Sequence, residues 1–188
     1  MNITKKIIIT DTNIITDLNN AQILEKFISL DNVYISDLIK NDEINTKTGN
    51  TNIIKKFKII TSTAKELQEV SILSTIEKKL SIYDLLNYVL ARDNNAIIAT
   101  GDNRLKIYSE KNNIEVIRTL KIIKLMHYYH IISTKETITA CKLLRNNPYT
   151  RIPIKDIDSL IKVLEKESSI NTWFFFIGKI LIYSLTYE

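Results

Sequence analysis

The chain contains few of the residues that mark specialised protein classes. Its 188 residues include one cysteine, two prolines and three glycines. A single cysteine cannot form a disulfide bond within the chain, and so little glycine and proline excludes collagen-like and low-complexity disordered proteins. The first residues lack a long apolar segment followed by a small-residue cleavage site, so we expect a cytoplasmic protein. The apolar stretch from Trp173 to Leu185 is shorter than the roughly 20 residues that a membrane-spanning helix needs, and we expect no membrane association.

The charge of the chain is only mildly unbalanced. It has 26 basic and 21 acidic side chains, which gives a formal charge of +5 at pH 7. Many proteins carry such a charge for solubility, so it does not identify a nucleic-acid partner. The length fits an ordinary globular protein, and the 45% hydrophobic content is enough for a core without metal or disulfide cross-links.

Short β-branched runs alternate with segments of helical spacing over the first two thirds of the chain. This alternation predicts βαβ units and a parallel sheet of four to five strands, whose ligands would lie beyond the carboxyl ends of the strands. The predicted strands are residues 5–10, 32–36, 57–61, 96–100 and 114–118.

The pattern becomes wholly helical after Leu120. Helices are predicted over residues 120–131, 133–145 and 153–166, the last with proline in its first turn. We therefore expect an α/β domain at residues 1–120, a helical extension packed on it at 121–170, and an apolar tail of unknown role at 171–188.

Aspartates stand where two of the predicted strands end. Asp11 follows the first strand and Asp102 follows the fourth, so both carboxylates should emerge at one edge of the sheet. Asp84 heads the helix that leads into the fourth strand, and the pair Asp42 and Glu43 follows the second strand. Each acid has a plainer interpretation, because aspartate is a favoured helix N-cap, Ser81 with Asp84 has capping-box spacing, and the pair can lie on a solvated helix face.

Carboxylates collected at one sheet edge would repel each other unless a cation lay among them. Oxygen ligands of this kind suit Mg²⁺ or Mn²⁺, and such an ion can activate water and stabilise the charge that develops on a phosphodiester. Other candidate sites are weaker. His127 and His130 have no acidic companions nearby, Cys141 is expected in the core, and no glycine-rich nucleotide-binding motif is present.

Four segments together resemble the PIN-domain ribonucleases, which include the VapC-like toxins of toxin-antitoxin modules. The resemblance covers residues 7–117 and implies a three-layer α/β/α fold with a central parallel sheet and appended C-terminal helices. The matching segments are IIITDTNIITDL, VYISDLIKNDEI, SIYDLLNYVLA and IIATGDNRLKIYSEKNNIEVI.

The resemblance implies that the chain would be a metal-dependent endoribonuclease that hydrolyses RNA phosphodiester bonds with Mg²⁺ or Mn²⁺. Asp11, Asp84 and Asp102 would be catalytic metal ligands. The acid of the second motif is either Asp42 or Glu43. We prefer Glu43 slightly, because its longer side chain reaches farther from a helix.

Substrate contacts are also expected at this edge. The resemblance suggests that Thr12 and Asn13 orient the first carboxylate or a water molecule, and the acidic pocket needs basic residues at its rim to bind phosphate. The candidates for that role are Arg92, Arg104 and Lys106. The family further suggests an antitoxin protein as partner and a homodimer.

Two other functions are compatible with the sequence. The chain can be a catalytically silent PIN-like module that binds RNA or protein and uses its aspartates only as helix caps. A receiver-like phosphoacceptor domain also places aspartates at strand ends, but the positions of Asp84 and Asp102 fit it poorly.

Overall fold

The computed structural model describes residues 5–40 and 55–167. The predicted residues Asp42 and Glu43, the apolar tail and the chain start lie outside these ranges. Strands and helices alternate as the sequence predicts. The elements are β1 (Ile8–Thr10), α1 (Thr12–Asn20), α2 (Leu24–Ile28), β2 (Val33–Ser36), β3 (Lys58–Ile60), α3 (Ala64–Ile76), α4 (Ile82–Asp93), β4 (Ile97–Ala99), α5 (Asn103–Lys111), β5 (Val116–Ile117), α6 (Thr119–Tyr128), α7 (Thr134–Asn146) and α8 (residues 154–167).

The five strands of the described residues form one parallel sheet in the order β3-β2-β1-β4-β5. Ile8 of β1 lies opposite Val33 of β2 on one side and Ile97 of β4 on the other. The predicted parallel sheet is therefore confirmed. The chain runs outward from β1 to β3 and then crosses back to place β4 beside β1, so the strand order changes direction between these two strands.

Both faces of the sheet are covered, which makes the fold a three-layer α/β/α sandwich. Adjacent residues of β1 point to opposite faces: Ile8 packs in the core under α1, α2 and the C-terminal helices, whereas Ile9 packs in the core under α3, α4 and α5. Because neither face of the central strands β1 and β4 meets water, their consecutive isoleucines are buried, as in other parallel sheets.

The three C-terminal helices share the core of the first face. Ile123 of α6, Cys141 of α7 and Ile157 of α8 are fully buried in it. Cys141 is thus a core residue, as expected, and burial raises the pKa of its thiol to about 11. Within the described ranges, no helix is both long and apolar enough to cross a membrane.

Capping boxes fix the residues at which several helices begin. The Thr63/Glu66, Ser81/Asp84 and Ser133/Glu136 pairs all form complete capping boxes at the starts of α3, α4 and α7. The chain turns at Ala21 between α1 and α2, with Gln22 in the left-handed region at φ 58°.

Candidate functional site

The carboxyl edge of the sheet carries polar residues at the point where the strand order changes direction. Asp11 follows β1, and the Thr100-Gly101-Asp102 turn follows the neighbouring strand β4. The backbone N–H of Asp11 donates to the carbonyl of Ala99 at 3.1 Å, which fixes the two strand ends against each other. In open parallel sheets, this is the usual position of a ligand site.

Among the described acids of this edge, Asp11 is the most buried, with 6% of its surface exposed. It is the N-cap of α1, where its Oδ1 accepts a hydrogen bond from the N–H of Ile14 at 3.0 Å. The hydroxyl of Thr100 donates to its Oδ2. Burial raises the pKa of Asp11 to about 6, against the opposing effect of hydrogen bonds from Thr100, Ile14 and the Asn13 side chain. The negative charge of Asp84 raises this pKa further.

Thr100 connects Asp11 to Asp102. While its hydroxyl donates to Asp11, its Oγ1 accepts a hydrogen bond from the N–H of Asp102 at 2.9 Å. Asp102 is the N-cap of α5, and its Oδ1 accepts from the N–H groups of Arg104 and Leu105 at 2.6 and 2.9 Å. No described residue donates a hydrogen bond to its other oxygen, Oδ2. One oxygen of Asp102 therefore caps the helix and the other remains available.

Asp84 is the third residue of α4 and closes the capping box. Its Oδ2 accepts from the N–H and hydroxyl of Ser81, at 2.9 and 2.8 Å, while its own N–H donates to Ser81 Oγ at 3.1 Å. Its charge acts on Asp11 as well. The capping interpretation of Asp84 is thus confirmed, and the same residue contributes negative potential to the site.

The described acids do not by themselves form a complete metal site. Within residues 5–40 and 55–167, no three histidine, cysteine or acidic side chains are grouped so that they could hold one ion. The structure brings Asp84 within electrostatic range of Asp11 and links Asp102 to Asp11 through Thr100. Asp42 and Glu43, the predicted acids of the second motif, lie outside the described residues.

Asn13 lies between Asp11 and Gly101. Its side chain lowers the pKa of the Asp11 carboxyl. A Cβ atom added to Gly101 would stand 3.3 Å from the Cβ of Asn13, so glycine allows this close approach. Thr12 opens α1, and its carbonyl accepts a hydrogen bond from the Thr16 hydroxyl at 2.9 Å.

The three basic residues that were predicted to bind substrate have different partners in the structure. Arg104 stays near the start of α4, where its guanidinium donates to the carbonyl of Lys79 at 3.4 Å. Lys106 pairs with Glu110 on the same helix at 3.0 Å.

Arg92 is not brought to the carboxylates. It lies eight residues after Asp84 on α4, about 12 Å further along the helix axis. Its guanidinium is bound by Glu69 and Asp93, and these hydrogen bonds raise the pKa of Arg92.

Sequence reasoning did not single out two other residues at strand ends. Asp37 follows β2 and joins it to the chain after β3, because its carboxylate accepts from the N–H and hydroxyl of Ser62 at 3.2 and 2.8 Å. Arg118 follows β5, and its guanidinium donates to the carbonyl of Gly101 at 2.9 Å. The strand-end rule that singled out Asp11 and Asp102 applies equally to these two positions.

Comparisons with known proteins give little information about this chain. A scan against protein-family models gives no match, and a search of curated proteins gives none either. Among solved structures, the chain is similar to the crystal structure of PAE2754 from Pyrobaculum aerophilum, with a TM-score of 0.49 and 18% sequence identity. The aligned region covers 64% of this chain and 96% of that chain. The interpretation of the site therefore depends on the geometry described above.

Proposed function

We propose that the chain is a PIN-type ribonuclease that hydrolyses RNA phosphodiester bonds with Mg²⁺ or Mn²⁺. The observation that carries the proposal is the placement of the buried Asp11 carboxylate at the change in strand order, with Asp84 near it and Asp102 tied to it through Thr100. By the family resemblance, the proposal extends to a toxin role, an antitoxin partner and a homodimer.

The environment of Asp11 favours a bound cation. Burial makes ionisation of this carboxylate unfavourable and raises its pKa to about 6, and Asp84 adds a second negative charge nearby. A nearby cation would relieve both effects, and carboxylate oxygens are ligands that suit Mg²⁺ or Mn²⁺. The residues that would hold the ion are Asp11, Asp84 and Asp102, together with Asp42 or Glu43. When bound, the ion would supply water activation and stabilisation of phosphate charge.

Helix capping does not compete with this role. Asp102 caps α5 through Oδ1 alone, so its Oδ2 can face a ligand. Asp11 caps α1 through Oδ1 and accepts from Thr100 at Oδ2, and each carboxylate oxygen has a second lone pair. The capping bonds hold both carboxylates in fixed orientations, which favours preorganised binding of substrate and cation.

A catalytically silent PIN-like module is the second candidate. It is favoured by one specific observation: Asp11, Asp84 and Asp102 each cap a helix, and no three acids within the described ranges share a metal-binding group. Such a module would bind RNA or protein without cleaving it.

RNA cleavage separates the two candidates. The full chain is incubated with structured RNAs in Mg²⁺, Mn²⁺ or EDTA, alongside Asp11→Asn, Asp102→Asn and the control Asp158→Asn. Asp158 is a matched acid, because it pairs with Arg145 at 2.6 Å on the surface. We expect cleavage only with a divalent cation, loss of about 100-fold or more in the first two variants, and no change in the control. Cleavage that survives both substitutions excludes the proposed enzyme.

A further inference from the structure

A cavity of about 350 Å³ adjoins the carboxylate site on the side of β5. Asn13 and Gly101, which are close to Asp11 and Asp102 in the chain, line the cavity. Residues of the segment that joins α7 to α8 also line it. The charged and aromatic residues that line it are Asp17, Arg118, Tyr149, Arg151 and Asp156.

Arg118 anchors one side of the cavity. It stands at the carboxyl end of β5, and its guanidinium donates to the carbonyl of Gly101 at 2.9 Å. It is also the N-cap residue of α6, and its side chain makes no capping bond there. The positive charge of Arg118 is thus held beside the turn that carries Asp102, while its other N–H groups remain able to bind an anion.

Arg151 supplies a second positive charge. Among the described residues, it forms no salt bridge and no side-chain hydrogen bond. Both arginines act electrostatically on the carboxylate of Asp17, which instead accepts a hydrogen bond from the Thr119 hydroxyl at 2.6 Å. The two guanidinium groups therefore share the cavity with the carboxylates of Asp17 and Asp156, but neither of them forms a salt bridge with a described acid.

The same cavity has an apolar wall. Tyr149 is 88% exposed although it is a large aromatic residue, and Ile152 lies close to it in the chain. An exposed tyrosine beside arginines is a typical arrangement for binding single-stranded nucleic acid, because bases stack on the ring while the cations bind the backbone.

We propose that this cavity binds one nucleotide of a single-stranded RNA, with its phosphate between Arg118 and Arg151 and its base against Tyr149. The inference rests on the proposed ribonuclease function and deepens it. Because the cavity is lined by Asn13 and Gly101, which are close to Asp11 and Asp102 in the chain, a nucleotide held here would position the neighbouring phosphate of the same strand at the carboxylates. The cavity would then set the register of the RNA relative to the cleaved bond.

Binding is tested apart from cleavage by fluorescence anisotropy in EDTA, with a short fluorescein-labelled single-stranded RNA and the full chain. The variants are Arg151→Ala, Tyr149→Ala and Arg118→Lys. The control is Lys162→Ala, which removes one charge from an exposed position outside the cavity. We expect each cavity variant to weaken binding by about fivefold to tenfold, since one phosphate or stacking contact is lost.

Salt dependence supplies a second readout. The magnitude of the slope of log Kobs against log salt should decrease by about 0.7 in Arg151→Ala and stay unchanged in Tyr149→Ala. Of these two residues, only Arg151 would contact phosphate. Far-UV circular dichroism checks that each variant is folded. RNA binding by Arg151→Ala at the wild-type affinity, or equal weakening by Lys162→Ala, overturns the inference.

Two further outcomes separate this inference from the proposed function. Cleavage by the wild type, with KM unchanged in the cavity variants, would overturn the cavity assignment alone. RNA binding that depends on Arg151 and Tyr149, in a chain that never cleaves, would support the cavity and exclude the ribonuclease.

Uridine monophosphate and inorganic phosphate serve as competitors. Binding of the free mononucleotide without any binding of RNA would also overturn the inference.

Discussion

The hydroxyl of Thr100 donates a hydrogen bond to the buried carboxylate of Asp11, across 89 positions of the sequence. The same oxygen accepts from the N–H of Asp102. One threonine at the end of β4 thus fixes the acid that follows β1 relative to the acid that follows β4. This link exists because β1 and β4 are neighbours in the sheet.

Replacement of Thr100 by valine should damage both stability and cleavage. The substitution keeps the shape of the side chain but leaves the Asp102 N–H without its acceptor and Asp11 Oδ2 without its donor. We expect the free energy of unfolding to fall by about 1–3 kcal/mol, and cleavage to fall by about 10- to 100-fold, as for other residues that orient ligands.

The matched control is Thr100→Ser, which keeps the hydroxyl. Urea denaturation and RNA cleavage should both be close to wild type in this variant. A Thr100→Val protein that cleaves as well as Thr100→Ser would show that this hydroxyl does not orient the carboxylates.

Asp11→Asn should stabilise the protein at neutral pH while it abolishes cleavage. The pKa of Asp11 is about 6 in the folded protein, above its ordinary value of 3.8, so the folded state holds the proton more tightly than the unfolded state. The stability of the wild type therefore falls as the pH rises from about 4 to about 6, by about 1–3 kcal/mol in total. Asparagine cannot ionise, so the stability of the Asp11→Asn variant should not fall in this way as the pH rises.

Urea denaturation in EDTA at about pH 4 and about pH 8 measures this effect. The asparagine variant should be more stable than the wild type at the higher pH and should lose most of this advantage at the lower pH. An equal difference between the two proteins at both pH values would contradict a buried, ionised Asp11.

Asp84→Asn should separate capping from metal binding. Glu66→Gln is the matched control, because Glu66 closes the capping box of α3 as Asp84 closes that of α4. Each variant should lose about 0.3–1 kcal/mol of stability, since the neutral side chain interacts less favourably with the helix N-terminus. Only Asp84→Asn should lose RNA cleavage and uptake of Mn²⁺. If both variants keep full cleavage, Asp84 acts only as a helix cap and does not bind the metal.

Asn87→Leu should not destabilise the protein. Asn87 is 1% exposed on α4, and neither polar atom of its side chain has a hydrogen-bond partner among the described residues. Leucine is similar in volume and removes two buried polar atoms, so stability should stay equal or rise by about 1–3 kcal/mol. Ser109→Ala, which removes the other unpartnered buried group, should behave in the same way. A loss above about 1 kcal/mol in thermal denaturation would mean that the Asn87 amide has partners after all.

The sequence predicts those features of this fold that depend on short stretches of chain. The Ser81/Asp84 capping box is an example, because its partners are three residues apart. The break between α1 and α2 could not be predicted in the same way, because it requires a positive φ at Gln22, which is not a glycine. Helix α6 also ends earlier than predicted, at Tyr128, shortly before His130 with φ 56°.

The site was only partly predictable for a related reason. The rule that ligands lie at strand ends identified Asp11 and Asp102 as candidates for one edge. It could not reveal that Thr100 joins them, since that bond depends on which strands are neighbours. Arg151 lies in a connecting segment without a recognisable motif, and only the packing of α8 places it beside Arg118.

Isothermal titration of Mn²⁺ into the full chain tests the central claim most directly. The wild type should bind the ion, and Asp11→Asn and Asp102→Asn should each lose this binding, while Asp158→Asn should retain it. A wild-type chain that takes up no Mn²⁺ or Mg²⁺, or an Asp11→Asn variant that binds them as well as the wild type, would contradict the account.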